Sequence, residues 1–180
     1  MQVDLSRYDN SWFNPGKGFI IRTLWYFVNI LFFANGLFPV SGLKVFFLRL
    51  FGARIGKGVV IKPSVNIKYP WNLKIGNFTW IGEEVWIDNL TKVSIGDNCC
   101  LSQGALLLCG NHDYKKDTFD LMVGEIVLED GVWIGADSIV TGNSICQSHS
   151  VLSVQSVAPL NMEPYTVYRG NPAVAVKKRI

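Results

Sequence analysis

The chain contains two histidines, His112 and His149, and four cysteines, Cys99, Cys100, Cys109 and Cys146. An imidazole titrates close to neutral pH, so a well-placed histidine can draw a proton from a hydroxyl as that oxygen attacks a carbonyl carbon. His112 lies in "GNHDY", inside the run Leu106–Leu128, where the six-residue pattern of the flanking sequence is suspended for about fifteen residues. A loop positioned by a rigid scaffold suits such chemistry. His149, in "CQSHSV", falls within a regular unit and is expected on the surface of a coil. Asp113 is expected to bond its own turn, because adjacent residues rarely face the same way.

Cys99, Cys100, Cys109 and His112 are the conceivable zinc set, but the cysteines lack C-x2-C spacing. Three of them occupy positions that other units fill with small apolar residues, and a free cysteine packs as a small hydrophobe. No metal is expected. The absence of a paired framework and of a signal-peptide pattern favours reduced thiols in a cytosol.

The elements that must position His112 follow from periodicity. From Ile55 the sequence runs in units such as "IGKGVV", "IGEEVW", "IGDNCC", "LSQGAL", "IGADSI" and "CQSHSV". An aliphatic residue opens most units and glycine often follows. A period of six is not a helical heptad; it is one short extended segment of roughly 20 Å. Three segments close a triangular coil of about eighteen residues, and coils stack at roughly 4.8 Å. No unit buries its apolar face alone, so the fold class is an all-β solenoid. The recurring Gly, Asn and Asp suit corners, through positive φ or side-chain-to-backbone bonds. Trp80, Trp86 and Trp133 fall at comparable places in their units and are expected to stack as a ladder, or to cover a ligand face.

Residues 1–18 read as an irregular arm, with "NPGKG" as a turn. Segments 19–33 and 43–52 read as helices in which Arg22, Asn29, Lys44 and Arg49 interrupt broad apolar surfaces. The first is shorter than the roughly 20 residues of a spanning helix. The pair is expected to cap an open end of the solenoid or to join an interface; peripheral contact with a membrane is the other reading. The domain division is 1–54 for arm and cap, and 55–180 for the solenoid with an extruded loop at 110–125 and a tail at 160–180. With 49% hydrophobic and 17% charged residues and a net charge of +3, the chain needs a large core or a large interface. No basic helix or aromatic-basic array points to nucleic acid. The ending "VKKRI" is a local cluster suited to phosphates.

The units, together with "KPSVNIKYPWNLKIGNFTWIGEEVWI" and the closing "YRGNPAVAVKKRI", resemble the hexapeptide-repeat acyltransferases. Within that family the chain is most similar to the colanic-acid-type polysaccharide O-acetyltransferases, and more distantly to maltose and galactoside O-acetyltransferases. The resemblance implies a left-handed parallel β-helix with a short C-terminal helix, assembled as a homotrimer; the thiols and the apolar segment 19–52 give the cytoplasm, or the periphery of the inner membrane, as the expected location. It implies acetyl-CoA as co-substrate and His112 as general base, reaching a cleft with the neighbouring subunit. Ala136 and Val154 match the positions along which the cofactor runs, and Arg169, Lys177 and Lys178 match its phosphate contacts; the family's "TKD" is replaced here by "APLNM". Glu84, Asp88 and Asn89 are the acceptor candidates, although a relative's acceptor-contacting Asn aligns with Glu84. The implied reaction is acetylation of a sugar hydroxyl in surface polysaccharide biosynthesis. Another acyl group, an amino-sugar acceptor or a non-catalytic scaffold are the alternatives. The γ-type carbonic anhydrases of this fold need three zinc-binding histidines, and this chain has two.

Overall fold

The computed structural model describes residues 2–180. From Arg54 onward the chain winds into a parallel solenoid with three walls of six, seven and four strands. Each wall places one column of apolar side chains inside. The columns are Ile55, Ile75, Ile95, Leu128, Cys146 and Met162; Ile61, Ile81, Leu101, Ile134, Leu152 and Tyr168; and Ile67, Ile87, Leu107 and Val140. The aliphatic residue that opens each unit is therefore the core residue. Removing such a side chain from water contributes about 1.5–3 kcal/mol. Coils early in the chain are longer, Ile75 to Ile95 against Leu128 to Cys146, because residues are added at corners.

The glycine after the aliphatic residue has a different reason from the one expected. Positive φ falls two residues later, at Gly58, Phe78, Glu84, Asn98 and Asp137, and recurs every six residues from Gly131 to Gln155. At Gly76 the constraint is stacking: a Cβ would stand 2.5 Å from the Gly96 carbonyl carbon in the next coil.

The expected C-terminal helix is a strand. Ala173–Lys178 turns back after Gly170 and pairs antiparallel with Thr166–Gly170. The last coil leaves a row of unpaired backbone groups, and a strand satisfies them where a helix could not. The alternating "AVAVKK" suits that role.

At the other end, α1 (Phe19–Val28) runs into a wider turn of helix at Asn29–Phe33, and α2 (Ser41–Leu50) follows. The polar residues that seemed to interrupt their apolar surfaces instead face the first coil. Trp25 Nε1 donates to Ile67 O at 2.8 Å, and Asn29 Nδ2 donates to Asn66 Oδ1 at 2.8 Å. Ser41 Oγ accepts from Ile61 N at 2.8 Å, Lys44 Nζ donates to Lys62 O at 2.6 Å, and Arg49 reaches the carbonyls of Ile55 and Gly56. Side chains thus saturate the open edge that a further coil would otherwise cover.

Burial lowers the Lys44 ammonium from 10.5 to about 8. The charged form is the costly one in the folded chain, and below pH 8 that cost is present in full. Between about 8 and 10.5 the unfolded chain holds a proton that the folded chain has released, so stability rises with pH. Thermal melting should therefore show the wild type gaining on Lys44→Met as pH increases through this window. A difference independent of pH would show that Lys44 stays charged when folded.

Candidate active site

The suspended pattern is a hairpin. Gly110–His112 and Leu121–Val123 pair antiparallel, with His112 opposite Leu121, and project from the solenoid. Gly124 re-enters beside Asn143, whose backbone nitrogen would lie 2.6 Å from an added Cβ, so the return needs glycine. Within the tip, Lys115 N donates to Asp113 Oδ1 at 3.0 Å, and the carboxylate of Asp120 binds Lys116 Nζ and Thr118 Oγ1. Asp113 serves its own turn.

Phe119 holds the imidazole twice. Its ring stacks on His112 with centroids 4.4 Å apart and planes 6° from parallel, and its carbonyl oxygen stands 2.9 Å from Nδ1. A carbonyl only accepts, so the neutral ring carries its proton on Nδ1 and keeps the lone pair on Nε2, the form a general base requires. Phe119 has φ of 51°, a sparsely populated conformation for a bulky residue, and the tip of the hairpin maintains it.

His112 lines a cavity of about 730 Å³. One side is solenoid: Lys68, Asp88 and Leu108. The other is the arm, which packs against the hairpin. Asp4 N donates to Asp117 O at 2.9 Å, Arg7 pairs with Asp117, and the Tyr8 ring meets His112 at 5.7 Å. Trp71 Nε1 fastens the arm by donating to Pro15 O at 2.6 Å. Met1 lies outside the described residues. Two polar atoms in the cavity lack hydrogen bonds, Arg22 Nε and Asp88 Oδ1. The Asp88 side chain is nine-tenths buried; Lys68 Nζ stands 2.9 Å from Oδ1 as an ion pair, outside hydrogen-bond geometry.

Of the three acceptor candidates, Asp88 alone reaches the cavity. Asn89 is fully buried and spends both ends of its amide on the Tyr69 backbone, at 2.9 and 2.6 Å. Glu84 occupies an exposed left-handed corner elsewhere. His149 is also at a left-handed corner, its ring stacked on Tyr165 at 4.7 Å.

A second concavity, about 540 Å³, runs along the second wall. It gathers Ala136, Val154, Arg169 and Lys177, with Trp133 and Arg179 beside them. Lys178 is not among its lining residues: on a strand, neighbours point to opposite faces, and Lys178 Nζ donates to Thr166 Oγ1 at 2.8 Å. Arg179 shares the face of Lys177, an alternation hidden while the tail reads as a helix. The groove and the His112 cavity share no lining residue.

The WcaF protein of Escherichia coli K12, assigned as a colanic acid biosynthesis acetyltransferase, is 35% identical over 177 residues, 96% of this chain and 97% of its own. This chain belongs to that acetyltransferase family. No protein-family model matches it. A hexapeptide-repeat acetyltransferase of Vibrio cholerae, solved with acetyl coenzyme A, superposes with a TM-score of 0.78 at 20% identity, over 88% of this chain and 87% of that one. A maltose O-acetyltransferase from Clostridium difficile 630 gives 0.74 at 22%, over 89% of each. The fold is the left-handed parallel β-helix of these acetyltransferases.

In this chain the tryptophans form no ladder. Trp80 and Trp133 share a wall but flank Cys100, and Trp86 lies on another wall between Asn66 and Leu106. Trp133 instead donates from Nε1 to Ser102 Oγ at 2.9 Å, at the groove. The cysteines are free thiols; burial pushes Cys99 up to about 11 and Cys109 and Cys146 up to about 12, so they stay protonated at neutral pH. Sequence reasoning missed Tyr8, Arg22 and Phe119, whose types carried no signal without the hairpin and arm in place.

Proposed function

We propose that this acetyltransferase moves the acetyl group of acetyl-CoA directly to a sugar hydroxyl in surface polysaccharide biosynthesis. The carrying observation is His112, with its proton directed to the Phe119 carbonyl, in the wall of a cavity large enough for a sugar. Asp88 accepts from one sugar hydroxyl, and Arg22 and Lys68 donate to other oxygens. The attacked hydroxyl gives its proton to His112 Nε2 as the new C–O bond forms. The C–S bond then breaks, and the imidazolium passes that proton to the departing CoA sulfur. No metal or acyl-enzyme takes part. The thioester arm lies along Ala136 and Val154, and the phosphates meet Arg169, Lys177 and Arg179.

That cavity and groove share no lining residue supports the homotrimer that the resemblance implies, in which His112 of one subunit serves the groove of a neighbour. Four free thiols and the cytosolic supply of acetyl-CoA support a cytoplasmic location.

Release of CoA thiol, measured with a panel of sugars, tests the reaction. Release with hydroxyl sugars is expected; release with amino sugars alone would make it an N-acyltransferase. In the same assay Lys177→Ala should raise the KM for acetyl-CoA about tenfold or more, the scale of a lost charged hydrogen bond, while Lys178→Ala changes it little. Equal effects of the two would refute the groove as the phosphate site.

A further inference from the structure

The cap is polar where it meets the protein and apolar where it meets nothing. On α1 and the wider turn that continues it, Arg22, Trp25 and Asn29 face the solenoid and its cavities, whereas Ile20, Leu24, Phe27 and Leu31, spaced four, three and four residues apart, are exposed. On α2, Phe46 and Leu50 continue the exposed surface; Ile20 is 72% exposed and Leu50 65%. An apolar stripe at helical spacing, turned away from the core, is a face made for a partner.

Charge identifies the partner. From Asn10 to Gly82 the sequence holds nine Lys and Arg and no Asp or Glu, while the rest of the chain carries all fourteen carboxylates against eight Lys and Arg. We propose that this face of the cap lies on an anionic lipid bilayer. Acyl chains take the stripe, and negative headgroups take exposed cations of the same acid-free stretch, Lys17, Lys57 and Lys62 among them. A second copy of the chain on the same face would set one acid-free, basic stretch against another. No described helix is long and apolar enough to cross a membrane, so the cap rests in the interface. Arg22, on the opposite side of α1, lines the His112 cavity, so lipid and cavity are separated by one helix diameter, about 10–12 Å. The docking surface does not depend on the acetyl-transfer reading.

The test is flotation of the full chain with phosphatidylcholine vesicles, with and without about 30 mol% phosphatidylglycerol. Binding to the anionic vesicles, released by high salt, is expected. Leu24→Asp/Phe27→Asp, which alters only exposed positions, should lower it at least about tenfold at unchanged melting temperature. Lys17→Gln/Lys62→Gln should weaken it about fivefold for each lysine removed, and keeps the test open should the first variant misfold. Failure of the wild type to float, or unchanged binding by both variants, overturns the proposal. So does a wild-type particle that ignores vesicles and becomes smaller in Leu24→Asp/Phe27→Asp, which would make the occupant a second copy.

Discussion

His112→Asn is expected to lower kcat by at least about a hundredfold, the scale of a lost general base, and to leave the KM for acetyl-CoA nearly unchanged. Asparagine keeps size and polarity, and its amide can still donate to the Phe119 carbonyl, but it takes up no proton at neutral pH. Cofactor binding is spared because the groove of Ala136, Val154 and Lys177 lies apart from the hairpin. Initial rates at varied acetyl-CoA check both halves, and near-normal turnover would make the histidine structural and leave Asp88 as the carboxylate in the cavity. The proposed trimer adds a sharper expectation. Co-assembly of His112→Asn chains with Ala136→Trp chains, each inactive alone, should recover activity wherever an intact His112 faces an intact groove. If mixed assemblies stay as inactive as their parents, the site is completed within one chain.

Removal of residues 1–52 produces an aggregating protein. The deletion uncovers the carbonyls of Ile55, Lys62 and Ile67 and the N–H of Ile61, and strips the first coil of Trp25, Phe33 and Leu48, all buried against it. Each of the three contributes about 1.5–3 kcal/mol of burial, and the bared edge is a template for another chain. Light scattering and circular dichroism of the truncated protein check this. A soluble, folded solenoid would show that the cap is dispensable for the fold.

Periodicity was enough to establish the solenoid, because one side chain in each six-residue unit must enter the core and its type repeats. The same pattern exposed His112, since a stacked coil has no reason to stop where it does. Periodicity also misled. It gave the glycine after each aliphatic residue to the turn, whereas the tight approach of the next coil demands it at Gly76. The resemblance, for its part, gave the C-terminus as a helix, although the open last rung recruits Ala173–Lys178 as a strand and thereby sends Lys177 and Lys178 to opposite faces.

What only the tertiary structure decided lies in contacts between segments far apart in the chain. The arm reaches the histidine hairpin through Arg7 and Asp117, and Pro15 is fastened by Trp71. Neither pair has a local signature, because a single hydrogen bond or ion pair leaves no period to detect. The cap shows the same limit. Helical spacing in 19–52 revealed two faces, one polar and one apolar, and burial of the apolar face is the ordinary expectation. The open coil reverses it: unpaired carbonyls and N–H groups draw Asn29, Ser41, Lys44 and Arg49 inward, and the apolar stripe is left outside. Sequence determined what each segment could bury, and the unsatisfied backbone at the solenoid's ends decided which face it did bury.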